Sequence, residues 1–433
     1  MITKWQKLLD HLEINPQNPS DENVVALQQW CAKEVSTDVQ FSGSLQDKFA
    51  QSKAYLTHYF STICVGDMQN LTDRESHMRG MNRVQYAALQ GYDRYLANIL
   101  PDVNDAEDLV NNATSVKMTA LHFSAFNGHI NTTELLLARG ALTTNSSRLS
   151  QLPLHLALTV PSGASSAVKE RKIAIFNLLL QENASLVDRE DISGDTVVQH
   201  MAQNGFTELL RSFNTENPLL LTKQNHFNKT PLLTALLNKR TETAQFLATI
   251  PQLLVIADGD GKLPLHYAAV QDDLPLLKAC VAPNSDIDVP DHYHNTALHK
   301  AAQAGKLAPV KYLVGEGASV FAEDVLGKTV WHHAVASGSL DTLKWLKNNT
   351  SVDPSHTDKQ SRTALMQLLS GCTAINADTE SLITFLVDSG TDLALADQTG
   401  HTAKDYLEQM QDRGLLVSDG LISDLSAGGC LVI

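Results

Sequence analysis

The chain has 433 residues, with 33 Lys and Arg against 48 Asp and Glu, for a formal charge of −15. An acidic surface repels phosphate backbones unless a basic stripe overrides it, and none is present, so nucleic acid is excluded as an expected partner and a basic or mixed protein surface is favoured. Five cysteines, Cys31, Cys64, Cys280, Cys372 and Cys430, share no CxxC spacing or nearby paired histidines, which argues against a zinc site or a disulfide framework and fits a reducing compartment.

The opening, MITKWQKLLDHLEI, places Lys4, Lys7, Asp10 and Glu13 where a signal peptide needs an unbroken apolar core. No stretch reaches the roughly 18 apolar residues of a membrane span. The expectation is a chain that does not leave its cell by the signal-peptide route. Three helix-like stretches follow: Lys4 to Leu12, Asp21 to Val35 and Ser44 to Cys64, each with apolar residues on one face. They predict a small helical domain over residues 1–77. Cys31 or Cys64 with His58 or His77 offers a nucleophile and base, but no motif surrounds them. A buried small apolar side chain is the ordinary fate of such cysteines.

A short phrase then recurs. It reads TALHFSAFNGH from Thr119, LPLHLAL from Leu152, TPLLTALLN from Thr230, LPLHYAAVQDD from Leu263, TALHKAAQAGK from Thr296 and TVWHHAVASGS from Thr329. Weaker copies begin at Thr196, Thr363 and Thr402. Successive starts lie 33, 44, 34, 33, 33, 33, 34 and 39 residues apart. Asn82 to Leu100, with Tyr86-Ala87-Ala88 and Gly91, reads as a degenerate first copy, making ten in all. With this phrase at a period near 33, residues 78–413 resemble ankyrin-repeat proteins. The resemblance implies an all-α ankyrin-repeat solenoid of about ten helix-turn-helix units with β-hairpin fingers. It implies a binding scaffold and no reaction.

The physical reading of each copy agrees. Thr stands where a helix begins and a hydroxyl satisfies an orphan amide, and Pro153, Pro231 and Pro264 follow where a missing donor is tolerated. Second helices are expected at Glu134–Leu137, Lys172–Leu180, Ala244–Leu247, Val310–Val314, Thr342–Leu346 and Leu382–Val387, with Gly140, Gly317 and Gly390 ending three of them. His122, His155, His266, His299 and His332 hold the fourth position of the phrase, where family structures bond the imidazole to backbone of the neighbouring repeat. They lie one repeat apart, too far to share an ion, so no metal site is expected. The long spacings predict surface loops at TVPSGASSAVKERK, between Leu158 and Ile173, and around Gly371 to Glu380. Each reads either as a partner-specific loop or as a tolerated insertion.

Fingers between repeats carry the pattern Asp, two free residues, Gly, one free residue, Thr. It is seen as DISGDT, DGDGKL, DVLGKT and DQTGHT, with departures at Asn225–Lys229 and Asp291–Asn295. Asp and Gly have structural work, so the free positions are the candidates for contact. Phe227, Tyr293, Val325 and Leu326, flanked by His226, His292, Asp260 and Lys328, are the expected partner-binding strip, because exposed aromatic residues there have no core to serve. The alternative is that each packs on the next finger.

The final residues, Cys430-Leu431-Val432-Ile433, follow a 414–433 segment of tether-like composition and match the CaaX order read by prenyltransferases. The competing reading is a chance apolar tail. A single lipid gives reversible attachment, and the basic patch that would reinforce it is missing. Repeats and such an ending together resemble the ankyrin effectors of intracellular bacteria such as Legionella and Coxiella. The resemblance implies a monomeric, cytosolic adaptor without catalytic residues or cofactor. It would bind a protein, a host protein in that setting, and reach a membrane only through Cys430. The rival is an enzyme or enzyme recruiter acting through residues 1–77.

Overall fold

The computed structural model describes residues 81–100, 107–161, 163–216, 218–281, 286–372 and 376–412. The helices expected before residue 77, with Cys31 and Cys64, and the tail with Cys430 lie outside the described residues. Among the described residues there are 22 α-helices and one short 3-10 turn. The chain divides into two compact units, Met1–Leu209 and Leu210–Ile433.

In the first unit the helix order is α1 (Arg83–Gln90), α2 (Asp93–Ile99), α3 (Glu107–Asn111), α4 (Ala120–Asn127), α5 (Ile130–Ala138), α6 (Pro153–Ala157), α7 (Ser166–Glu182), a 3-10 turn at Ala184–Leu186, α8 (Val197–Asn204) and the start of α9 (Thr207–Glu216). Inner helices α1, α4, α6 and α8 stack on one another, and α2, α5 and α7 cover them from one side. Small residues permit the close stacking: Ala88, Ala125, Ala157 and Ala202 are fully buried. Larger side chains of the covering helices, among them Leu136, Ile175 and Phe176, seal the second layer. The degenerate first copy folds as expected, with Gly91 at φ 74° closing α1.

The insertion after Leu158 departs from expectation. A loop was predicted to Ile173, but helix begins at Ser166 and runs 17 residues, so half of the insertion lengthens the covering helix. Two lysines anchor this helix: Lys169, in the added stretch, donates to the Gly205 carbonyl at 2.8 Å, and Lys172 reaches into the stack. Its side chain is buried and its ammonium donates to the Ala125 carbonyl at 2.9 Å and to those of Phe126 and Leu156, while lying 5.4 Å from the Phe126 ring centre. The Ala125 and Phe126 carbonyls lie in the last turn of α4, where a cation is favoured. Burial, reinforced by Arg171, pulls the Lys172 amine down to about 8.

The second unit continues with α10 (Pro218–Leu221), α11 (Pro231–Leu237), α12 (Thr241–Leu247), α13 (Pro251–Leu254), α14 (Pro264–Ala269), α15 (Leu274–Cys280), α16 (Ala297–Gln303), α17 (Leu307–Gly315), α18 (Val330–Ser337), α19 (Leu340–Asn349), α20 (Ala364–Gly371), α21 (Ala377–Asp388) and α22 (Ala403–Asp412). Inner helices α11, α14, α16, α18, α20 and α22 form the stack, and α12, α15, α17, α19 and α21 lie behind. Trp331 on α18 is the largest fully buried side chain among the described residues. Around the second insertion, α20 extends to Gly371 and Asn376 caps α21 by accepting from the Thr379 amide at 2.8 Å, so both described ends of this stretch run into helix.

All ten inner helices start one residue after the first residue of the phrase. The histidines show why the position is specified. Backbone amides of Thr119, Leu152, Leu263, Thr296 and Thr329 donate to Nδ1 of His122, His155, His266, His299 and His332 at 3.0–3.3 Å. An Nδ1 that accepts carries no proton, so the proton sits on Nε2. That atom donates to the carbonyls of Gln151, Arg189, Asn295 and Ala322 in the next repeat at 3.0–3.1 Å. In His332 the Nε2 faces the Arg362 carbonyl without a well-formed bond. Only the neutral ring does both jobs. Burial, partly offset by those carbonyls, drives His122, His155, His299 and His332 down to about 4. Other copies use amides or carboxylates: Gln85 accepts from the Asn82 amide at 2.9 Å and donates to the Asn112 carbonyl at 2.7 Å. Gln199 accepts from Thr196 at 3.1 Å and Asp405 from Thr402 at 2.6 Å.

Candidate protein-interaction surface

The fingers are built by a single carboxylate or its equivalent. Oδ1 of Asp258 accepts from the amides of Asp260 and Lys262 at 3.0 and 2.9 Å. Asp291 does so for Tyr293 and Asn295, and Asp324 for Leu326 and Lys328, at 2.8–2.9 Å. Asn225 reproduces it for Phe227 and Lys229 at 3.0 and 2.9 Å, and in the first unit Ser147 serves Leu149 and Gln151 at 3.2 Å. The fourth residue of the turn takes positive φ: 77° at Gly261 and 75° at Gly327, but also 55° at Asn228 and 57° at His294. The two sequence departures therefore make the same turn without glycine. No strand forms among the described residues, and β-pairing is limited to isolated bridges at Thr357–Thr363 and Ala396–Thr402. The predicted β-hairpins are tight turns closed by the carboxylate, with pairing reaching a single bridge beyond the turn in the Asp358 and Asp397 fingers.

In several fingers the second carboxylate oxygen ties the turn to the inner helix after it. Oδ2 of Asp258 accepts from the Tyr267 hydroxyl at 2.5 Å, Asp291 pairs with Lys300 at 2.9 Å and Asp324 with His333 at 3.0 Å. The same contact joins Asp191 to His200 at 3.2 Å in the first unit. Burial alone would raise the Asp191 carboxyl, but His200 and the Ser193 and Asp195 amides outweigh it and hold it at about 2. Burial and then the bond to Asp258 push the Tyr267 hydroxyl well above its ordinary range.

From the Asp258 finger onward, successive fingers of the second unit are joined by backbone, and the Asn225 finger is tied to the next by the Gln224 side chain, which donates to the Ala257 carbonyl at 2.9 Å. His292 donates to the Asp260 carbonyl at 2.9 Å, Val325 to Tyr293 at 3.0 Å and Lys359 to Leu326 at 2.8 Å. Rigid spacing of those backbone-joined tips follows. Of the expected contact residues, His226, Phe227, Asp260, His292, Tyr293 and Leu326 are exposed, while Val325 and Lys328 are intermediate. Phe227 is 62% exposed, Tyr293 54% and Leu326 45%, values that leave a large apolar surface in water at the row of tips. The alternative, packing on the next finger, describes His292: a Cβ on Gly261 would fall 2.5 Å from its Cδ2. Asp260 is engaged too, with Lys262 at 2.8 Å. Lys229 stands 6.0 Å over the Phe227 ring. In the first unit Leu149 and Ile192 occupy the tips, with the Ile192 amide on the Leu149 carbonyl at 2.9 Å; neither was singled out from sequence, although both sit at free positions of the finger pattern.

A depression of about 670 Å³ lies at the far ends of α11 and α14, lined by Leu237, Lys239, Tyr267, Val270, Asp272 and Lys306 among others. Most of its lining residues lie in the later half of the phrase copies from Thr230, Leu263 and Thr296, at positions the sequence reading did not single out for contact. The described residues contain no group of three or more His, Cys, Asp or Glu able to hold a metal, and no helix among them is long and apolar enough to cross a membrane.

Comparison with known proteins agrees with the repeats. A family model described as "Ankyrin repeats (3 copies)" matches residues 249–324 and 265–358, and one described as "Ankyrin repeat" matches 117–146. A Caenorhabditis elegans homologue of transient receptor potential cation channel subfamily A member 1 is 25% identical over 222 residues, which is 51% of this chain and 17% of that protein. The chain thus spans a small part of that relative's length. The ankyrin repeat domain of Bcl-3, a member of the IkappaB protein family, is 22% identical with a TM-score of 0.44, covering 54% of this chain and all of that one.

Proposed function

We propose that this ankyrin-repeat chain is a non-catalytic adaptor that grips a protein partner across the finger tips of its second unit. Ankyrin repeats are protein-interaction units, so the coarse function follows from their presence. The observation that carries the finer reading is the exposure of Phe227, Tyr293 and Leu326 at the finger tips, with the Tyr293 and Leu326 fingers joined to each other by backbone. Exposed aromatic anchors on a preorganised frame lose little freedom on binding. The test is affinity capture with the wild type beside a Phe227→Ala/Tyr293→Ala variant whose circular dichroism and melting are unchanged. A partner held by the wild type and lost by the variant supports the reading; identical recovery overturns it.

A bacterial effector, cytosolic and monomeric in its host and bound to a host protein, belongs to the same proposal. Prenylation of Cys430 would add reversible membrane attachment. Its support is the repeat array and the Cys430-Leu431-Val432-Ile433 order alone. Mass spectrometry of the peptide carrying Cys430 after expression in a eukaryotic cell decides it: an isoprenoid adduct abolished by Cys430→Ser supports lipidation, and an unmodified peptide removes it. The enzyme alternative rests on residues 1–77, outside the described residues.

A further inference from the structure

We infer that the joint between the repeats that open at Thr230 and Leu263 is a hinge of the second unit, and that its movement sets how far the Phe227 finger stands from the fingers after it. The movement is a property of the stack. Its use, letting the aromatic anchors adjust to a partner, rests on the adaptor reading.

Two kinds of bond hold successive repeats of this unit together. At the fingers an amide donates to a carbonyl of the finger before it: His292 to Asp260, Val325 to Tyr293, Lys359 to Leu326 and Gln398 to Gln360, at 2.8–3.1 Å. At the inner helices the fourth-position imidazole reaches the next repeat, His266 to the Asn295 carbonyl at 3.1 Å and His299 to that of Ala322 at 3.0 Å. The repeat from Thr363 has Met366 at that position, yet keeps its finger bond. The joint after Thr230 lacks both. Leu233 stands where the imidazole would be, and among the described residues no bond runs from the Gly259 amide to the Phe227 carbonyl, the pair equivalent to His292 and Asp260.

Two glutamines bridge the joint instead. Gln224 Nε2 donates to the Asn228 carbonyl of its own finger at 2.7 Å and to the Ala257 carbonyl of the next repeat at 2.9 Å. Gln271 Nε2 donates back to the Leu236 carbonyl at 3.0 Å. A side chain on rotatable bonds follows a displacement that a backbone pair, held by its own chain, does not. The depression of about 670 Å³ opens at the same joint, with Leu236 and Leu237 on one side and Tyr267, Val270 and Gln271 on the other. Missing bonds at finger and inner helix thus coincide with an open fit at the helix ends. A stack whose repeats touch only their neighbours yields first at its weakest interface, and the packed elements on either side then move as blocks. Phe227 belongs to the block before the joint; Tyr293 and Leu326 move together in the block after it.

The test is pulsed electron spin resonance on the full chain without partner, the nitroxides carried on p-acetylphenylalanine so that the five cysteines stay in place. One labelled pair, at Phe227 and Leu326, spans this joint and the two after it. The other, at Asp260 and Gln360, spans three joints that all carry the finger bond. All four positions are exposed. The first pair should give a broad or two-peaked distance distribution and the second a single narrow one. Leu233→His supplies an imidazole opposite the Lys262 carbonyl, the counterpart of Asn295. It should shrink the displaced population of the first pair about two- to tenfold, the worth of one net hydrogen bond, and leave the second pair unchanged. Gln224→Ala should enlarge that population by a similar factor. Equal widths for the two pairs, or a first pair indifferent to both substitutions, overturns the inference. Should Leu233→His lose its helical circular dichroism, Gln224→Ala alone decides. A rigid joint beside a positive Phe227→Ala/Tyr293→Ala capture result leaves the adaptor standing without a hinge, and a mobile joint beside a failed capture leaves the hinge and removes its use in binding.

Discussion

Replacing His299 by Gln tests whether the buried histidines are locked neutral. His299 is 1% exposed; it accepts from the Thr296 amide at 3.1 Å and faces the Ala322 carbonyl at 3.0 Å. Burial, reinforced by His333, holds it at about 4, against about 6.5 for an unfolded histidine. The folded value is depressed, so unfolding takes up a proton between those limits, and stability is fully present above the upper one and lost as pH falls towards the lower. Near pH 5.5 the uptake is close to one proton, a slope of about 1.4 kcal/mol per pH unit from this residue alone. Glutamine has the right atoms to replace it, as Gln199 and Gln85 show in their own repeats, and it does not titrate. Guanidinium denaturation followed by circular dichroism at about pH 7.5, 6.5 and 5.5 should therefore show His299→Gln gaining roughly 1.3 kcal/mol on wild type from the first pH to the last. His333, Asp324 and Lys300 surround the site in both proteins, so their contributions cancel. Parallel pH dependences would refute the argument, because the folded imidazole would then titrate as in the unfolded chain, and a relative gain by wild type at low pH would mean it is held charged in the fold.

Three further outcomes follow from the packing. Lys172→Met removes the donor shared by the Ala125, Phe126 and Leu156 carbonyls and should lower the stability of the first unit by about 1–3 kcal/mol, read by thermal denaturation. Trp331→Ala, at a fully buried site in the second unit, should cost about 3–5 kcal/mol in the same assay, and a loss under 1 kcal/mol would contradict the packing described. His294→Gly replaces a side chain held at φ 57° by the residue that Gly194, Gly261, Gly327 and Gly400 supply in the equivalent turn. It should raise stability by up to about 1 kcal/mol, an unfolded glycine's extra freedom reducing the gain.

The finger turns show how far local chemistry reaches. An Asp followed three residues later by Gly predicts the turn because both act on atoms within five residues, and the Asn225 and Asp291 variants obey the same rule with Asn228 and His294 in the left-handed region. Helix starts were legible for the same reason: cap, Pro and the fourth-position histidine lie within one turn. The insertion after Leu158 was misread. Its composition favours a loop, whereas the helix runs from Ser166 and is anchored by Lys169 and Lys172, which reach carbonyls 36 and 46–47 positions away.

The sequence by itself determined the repeat, its register, the ten helix starts and the finger positions free to meet a partner, since a unit that recurs every 33 residues repeats its short-range bonds. Only the tertiary structure decided which free positions stay in water. It folded His292 over Gly261 and left Phe227 and Tyr293 exposed. It also gathered Leu237, Lys239, Val270 and Lys306 from three repeats around one depression. The physical reason is that stacking sets distances between residues a repeat apart, and no spacing along the chain encodes which of their side chains then turn towards each other.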